Sequence, residues 1–460
     1  MSFKMYKLTP VDTLFFRDGR PYNQGESSST DVKSLFPPFA VTMVGALRAS
    51  LSRGLGWNGK GNWSSEIKKK LGDGQDLGPM KFKGPYLIKG QEVLFPAPLN
   101  LLGKVSETEK GKWSQLNLLH PGEEVDCDIG DKVRLPALKN AIGMKSLDGY
   151  YLTSWDLGVV LEGGDPSKVY VFNWNRIPGK DDGRLREFLM NKFSFEWAKT
   201  ALIGKSSNGK TIKISTGEKS LLLELDDKKT KVTLEIDGSI IEEFTVMIEN
   251  GELNIYSKVN PIKGSDLWDF EYLVGIQRNF ETRTTEEGLM YSRSRVRLSS
   301  GVGLAVGIEG LADGMELLSP LPFGGDGGLA YADPINISIK IPDAPNLEAS
   351  SDGKIQFTVT HLTPAYFEGK WPGPGDELPG ISGSQVVSAC LERPVRIGGW
   401  DSVKREPLPL KPFLPGGSIW FCEAHKDNAE KIRQCNGQHL GKYSEYGFGE
   451  IAIGQWINEN

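Results

Sequence analysis

Glycine and proline limit this chain more than any other feature: 55 glycines and 27 prolines are spread over 460 residues. Proline removes a backbone donor and glycine weakens a helix interior, so few long helices survive such punctuation. The sequence therefore predicts strands, turns and ordered loops around short helices. The length suffices for two or three domains, each with its own core.

The first fifty residues give the clearest local pattern. Met5-Tyr6-Lys7-Leu8-Thr9-Pro10 reads as a strand, Asp18-Gly19 and Pro21 as a turn, and Phe36-Pro37-Pro38-Phe39 as the approach to a helix. Ala40, Met43, Val44, Leu47 and Leu51 share one face of that helix. Arg17, Arg20, Lys33 and Arg48 group around this strand, loop and helix as candidate phosphate contacts. Far downstream, Phe357 to Gly369 repeats the strand, the Leu-Thr-Pro triplet (Leu362-Thr363-Pro364), the aromatics and the glycine. Two related domains follow from that repeat, at 1–345 and 346–460, joined by the Asp-, Pro-, Asn- and Ser-rich stretch 342–353.

Between these anchors, Gly84–Ile88 and Val93–Pro98 read as a hairpin. From about 169 to 267 the composition turns to Lys, Asp and Glu with alternating apolar residues, which predicts a β-rich insertion in the first domain. Arg278 and Arg283 then precede Tyr291, Arg293, Arg295 and Arg297, which alternate and so share one strand face. Arginine beside an aromatic suits RNA, since rings stack on bases and cations meet phosphates; a solvated sheet face gives the same pattern. The terminal loop carries Gly447, Gly449 and Gly454, where backbone could approach a ligand or make a bulge before a last strand.

A net charge of −5 gives no global basic field, so any nucleic-acid contact is local. No stretch approaches the ~18 apolar residues of a membrane span, no cleavable leader opens the chain, and four cysteines are too few for a disulfide framework; the expectation is a cytoplasmic protein without a membrane partner.

Two motifs suggest other chemistry. Gly204-Lys205-Ser206-Ser207-Asn208-Gly209-Lys210-Thr211 has P-loop spacing, followed by an acidic run ending Asp226-Asp227. A P-loop needs a helix at the Gly-Lys-Thr, whereas Thr211-Ile212-Lys213-Ile214-Ser215 alternates as a strand does. Cys422, His425, Cys435 and His439 have spacings compatible with zinc, though Cys422 also continues the apolar strand Ile419-Trp420-Phe421 as a buried thiol would. No histidine precedes His120, so the opening loop lacks the usual general base.

The arginine-bearing opening, the Pro-rich approach to Gly45-Ala46-Leu47-Arg48, the Leu-Thr-Pro repeat and the terminal Gly447-x-Gly449-x4-Gly454 loop together resemble the RAMP superfamily of CRISPR proteins. Phe95–Pro98, Gly275-Ile276, Glu287–Tyr291, Gly324-Gly325-Asp326 and Pro415–Phe421 bring the likeness nearest to the third subunit of the Cmr (type III-B) effector. Asp326-Gly327-Gly328 departs from the family pattern, which has glutamate and often arginine there.

The resemblance implies an α+β chain of two ferredoxin-like, RRM-related domains. It also implies a non-catalytic, cofactor-free subunit for antiviral defence, holding the 5′ tag of the guide crRNA between the large polymerase-like subunit and a backbone RAMP subunit, with target RNA met only indirectly. The alternatives are a metal-independent guide-processing endoribonuclease using His361 or His425, and a P-loop NTPase.

Overall fold

The structure is a computed structural model. It describes residues 3–17, 31–106, 113–128, 130–138, 141–179, 181–193, 195–217, 219–401, 404 and 406–457, without the side chains of 31, 196, 277 and 285–291. It is a β-rich α+β molecule. Five short α-helices are described: α1 (Ala40–Gly54), α2 (Ser65–Leu71), α3 (Ser154–Leu161), α4 (Asp182–Phe193) and α5 (Ala429–Arg433).

The first sheet has eight strands, and its middle follows from the opening strand. Lys4–Pro10 lies between Val302–Glu309 and Leu329–Pro334, antiparallel to both, and Lys81–Lys89 pairs with the outer edge of Val302–Glu309. Numbered along the chain, these four strands stand in the order 2-3-1-4. The predicted hairpin is present as Lys81–Lys89 and Glu92–Pro96, the second strand ending before Pro98, which cannot donate to a ladder. The apolar face read from the sequence packs α1 onto this sheet: Ala40, Met43, Val44, Leu47 and Leu51 are all buried. Each such large side chain contributes roughly 1.5–3 kcal/mol on burial.

A second sheet repeats the arrangement. Ser384–Cys390, Ile419–His425, Lys354–His361 and Ile451–Gln455 are neighbours in that order, all antiparallel, again 2-3-1-4 along the chain. The helical connections differ between the sheets. In the first sheet α1 lies between strands one and two; in the second, the short α5 lies between strands three and four.

The second sheet has an interior of its own, built on Phe357, Val359, Trp420 and Ile453, and further apolar clusters join the two halves. Ile397, Phe413, Tyr446 and Phe448 pack in one apolar cluster with Leu8, Met43, Leu47 and Phe82, while Leu362 and Ala452 join another built on Phe95, Leu157 and Leu161.

The charged stretch after 169 folds into a seven-stranded antiparallel sheet, a six-stranded meander from Leu202 to Ser257 whose last strand also pairs with Val169–Asn173. Its alternation explains its shape. Ile212, Ile214, Leu221, Leu223, Val232, Leu234 and Ile255 point inward onto Leu185, Phe188 and Leu189 of α4, leaving lysines and glutamates on the other face. Trp268–Arg278 and Thr285–Leu298 form a long hairpin, Trp268–Arg278 being its outer strand. Among the described residues no helix is long and apolar enough to cross a membrane.

Candidate nucleic-acid interface

The motifs scattered along the sequence meet at one cleft between the two sheets. Phe36–Phe39, Leu362-Thr363-Pro364, Pro415-Gly416 and Gly447-Phe448 line it together with Gly84-Pro85 and Tyr86, enclosing about 280 Å³. Phe39 and Ala40, at the start of α1, form part of the wall, and no side chain caps that helix end. Beneath the cleft lie buried polar contacts, and those of Glu450 with Tyr86 and Lys83 join the two halves. Thr363 Oγ1 donates to the carbonyl of Gly447 (2.9 Å) and accepts from the backbone N–H of Glu450 (2.9 Å). The fully buried Glu450 carboxylate accepts from the Tyr86 hydroxyl (2.6 Å) and pairs with Lys83 Nζ (2.7 Å). Burial, and then the neighbouring Glu450 charge, raise the Tyr86 pKa well above the ordinary phenol value, so the hydroxyl remains a donor.

The opening cations are partly brought together. Arg17 bridges to Ser34 across an antiparallel pair, which sets it beside Lys33, and both side chains are exposed. Arg20 lies outside the described residues.

Arg48 is a correction to the predicted group. It is buried on α1, and its guanidinium donates to the carbonyls of Leu71 (2.9 Å), Gly74 (2.7 Å) and Asp76 (3.0 Å) while lying over the Trp63 ring. Its work is to tie α1 to the end of α2, and it is not a surface cation.

The arginine stripe is on one strand face as predicted, yet its charge is answered from within the chain. Arg293 and Arg295 both pair with Asp326 of the glycine loop, and Arg295 also donates to the carbonyl of Thr13 (2.6 Å). Arg297 pairs with Glu271 and with Asp12 (3.0 Å). The stripe as an open cationic face is therefore corrected; the residue that departs from the family pattern, Asp326, helps to neutralise it. The side chain of Tyr291 lies outside the described residues. Arg278 and Arg283 sit at the tip of the same hairpin, where Arg278 donates to the Arg283 carbonyl (3.4 Å). Sequence reasoning missed Phe280 between them, 99% exposed, and the exposed apolar row Phe270, Tyr272, Val274 and Ile276. The alternation from 270 to 276 was the available signal.

The terminal glycines are corrected as ligand contacts. The N–H of Gly449 donates to the carbonyl of Pro364 (2.8 Å) and that of Gly447 to Ser444 (2.9 Å), so neither is offered outward. Both have positive φ, and a Cβ would lie 2.0 Å from the Leu440 carbonyl oxygen at Gly449 and 2.6 Å from that of Gly84 at Gly447. Gly454 stands within the last strand, where a Cβ would lie 2.6 Å from Thr358 Oγ1 and 2.8 Å from the carbonyl oxygen of Leu161.

The zinc candidates do not converge. Cys422 faces the core with its thiol pKa pushed up by burial, and Cys435 Sγ lies against the carbonyl of Lys431. His425 is exposed beside Asp427, and His439 Nδ1 is 2.7 Å from the carbonyl of Phe448. Among the described residues no three His, Cys, Asp or Glu side chains are grouped to hold a metal.

Gly204–Thr211 is a hairpin turn: strand Leu202–Lys205 pairs with strand Thr211–Thr216, as the alternation predicted, and Lys210 pairs with Asp227. His361, one candidate general base, is fully buried between Trp420 and Phe367, and desolvation lowers its pKa to about 3.

A search of curated proteins found no match. Two solved structures are similar in backbone, both chains of the Type III-B Cmr-beta by cryo-EM. One is bound to cognate target RNA, with TM-score 0.42 and 14% identity over 98% of this chain and 99% of that one. The other is bound to cognate target RNA and AMPPnP, state 1, with TM-score 0.43 and 14% identity over the same shares. The profile of the CRISPR-associated protein family Cas_Cmr3 matches residues 6–184 and 246–456, and the chain belongs to that family.

Proposed function

We propose that this protein is a non-catalytic RNA-binding subunit of a type III-B CRISPR (Cmr) effector, active in antiviral defence. It holds the 5′ tag of the guide crRNA and bridges the large polymerase-like subunit to the backbone RAMP subunit, meeting target RNA only through the guide. The observation that carries this reading is the convergence of the widely separated motifs on one cleft, together with family membership. Arg17 and Lys33, exposed beside one another, are the candidate phosphate contacts in a chain whose net charge is negative. A subunit that grips a guide by backbone and shape leaves sequence readout to base pairing, so it needs few charged contacts.

The 2-3-1-4 order of both antiparallel sheets supports two ferredoxin-like units, split near 345, each with one of its two crossovers non-helical and the first carrying the meander as its insertion. Against the endoribonuclease reading stand the burial of His361 and the placement of His425 on an exposed turn beside Asp427. Against the NTPase reading stands the strand that follows Lys210.

The test is fluorescence anisotropy of labelled tag RNA on the reconstituted complex. Replacing Arg17 and Arg20 by Ala is expected to weaken tag binding; unchanged affinity would sink the proposal. Incubation with repeat RNA without metal distinguishes the nuclease, since cleavage would replace binding as the function.

A further inference from the structure

At the end of α4 the chain reads Phe193-Ser194-Phe195-Glu196-Trp197, and its three rings stand in a row. The planes of Phe193 and Phe195 are 21° apart with centroids at 5.5 Å, and those of Phe195 and Trp197 are 31° apart at 5.8 Å. All three are half-buried and line a cleft of about 470 Å³. Two hairpin regions complete it. Lys219, Ser220 and Asp237 come from one end of the meander, and Gln91 and Glu92 come from the turn of the first sheet's hairpin. All but the last two fall between the two segments that the family profile matches.

The chemistry of this lining is specific. Near-parallel rings at these distances stack on one another, a row that a planar heteroaromatic partner can extend, and the volume lies within the range of small-molecule sites. Gln91, Ser220 and the two carboxylates can meet donors on the edge of a base. Lys219 is the single cation among the lining residues and offers one phosphate contact, while Glu92 and Asp237 oppose a phosphodiester strand running through. A proline-rich peptide, the other partner of aromatic grooves, uses neither the carboxylates nor the cation.

We propose that this cleft binds a single nucleotide, its base extending the Phe193-Phe195-Trp197 stack and its phosphate meeting Lys219. The nucleotide is either free or the unpaired end of an RNA strand, and the site is separate from the one proposed for the tag.

Calorimetric titration of the full chain with AMP, adenosine and a short single-stranded oligoadenylate tests this. Lys219→Glu is expected to weaken AMP about 10-fold, the size of one charge-assisted contact, while changing adenosine less than about 2-fold. Ser220→Trp, on the exposed rim, fills the cleft and is expected to abolish both. AMP binding alone identifies the free nucleotide as the source; oligoadenylate binding with the same dependence on Lys219 and Ser220, without AMP binding, identifies an RNA end. Binding that Ser220→Trp leaves unchanged, or no binding of either ligand at millimolar concentration, overturns the proposal. Tag-RNA anisotropy of these variants is expected to be unchanged, so either site can fail without the other.

Discussion

Replacing Gly449 by alanine separates a scaffold loop from a ligand-binding one. Gly449 has φ +77°, and an added Cβ would lie 2.0 Å from the carbonyl oxygen of Leu440, a backbone atom that no side-chain rotation can remove. The left-handed conformation alone costs a non-glycine residue about 1–2 kcal/mol. Relieving the overlap also pulls apart two hydrogen bonds, Gly449 N–H to Pro364 and Leu440 N–H to Gly449, each 2.8 Å. A buried group left without its partner costs roughly 1–3 kcal/mol, so with one such group the expected loss is about 2–5 kcal/mol in all, a large part of the stability of a typical domain.

Gly327→Ala is the control. Gly327 has a similar φ of +74° but open space where a Cβ would stand, so it should lose only the conformational part, about 1–2 kcal/mol. Thermal and urea unfolding followed by tryptophan fluorescence, with tag-RNA anisotropy on the folded fraction, gives both quantities. If Gly449→Ala unfolds together with the control while RNA affinity falls, the loop contacts RNA and the packing argument is refuted.

Asp156 is buried, and desolvation pushes its pKa up to about 6 from 3.8. The folded protein therefore keeps a proton that the unfolded chain releases, and stability falls as pH rises from about 4 to 6. Asp156→Asn is expected to gain up to about 3 kcal/mol at pH 7 and nothing near pH 4, measured by urea unfolding at the two values; equal stability at pH 7 would contradict this. His361 has the opposite dependence, since its pKa falls to about 3 from 6.5. The unfolded chain takes up a proton that the folded one refuses, so stability is complete above pH 6.5 and is lost on acidification. His361→Phe keeps the aromatic packing and is expected to flatten that acid limb, by about 2 kcal/mol at pH 5 relative to pH 7.5; an unchanged slope would show that other groups set it. Lys210→Ala is expected to leave melting temperature and complex activity unchanged, and ATP hydrolysis abolished by that change would restore the NTPase reading.

The parts of this fold that were legible in sequence are those where local pattern and tertiary role coincide. Leu8-Thr9-Pro10 and Leu362-Thr363-Pro364 each close the first strand of a sheet, and those strands occupy equivalent places between the third and fourth strands of their sheets. A repeated strand signature thus marked a repeated sheet order. The period of α1 and the alternation of the meander were equally direct, because one buried face imposes the spacing. The alternation at Thr211–Ser215 mattered most for function, since it excluded the helix that a P-loop requires.

Charge was misread because the sequence shows a cation and not its partner. Arg295 meets Asp326, and Arg297 meets Asp12 from the far end of the chain, so four residues in a stripe said nothing about the field that reaches solvent. Arg48 was misread for a different reason. Its neighbours on the helix are largely apolar, and only the carbonyls of Leu71 at the end of α2 and of Gly74 and Asp76 beyond it, brought close by the fold, give its buried charge a place. Gly447 and Gly449 take positive φ and Gly454 does not, and spacing cannot say whether the atom near such a glycine belongs to a ligand or to Leu440. In each case the missing information lay in a partner distant in sequence. Arg17 and Lys33 are exposed beside one another, and binding experiments should concentrate on them.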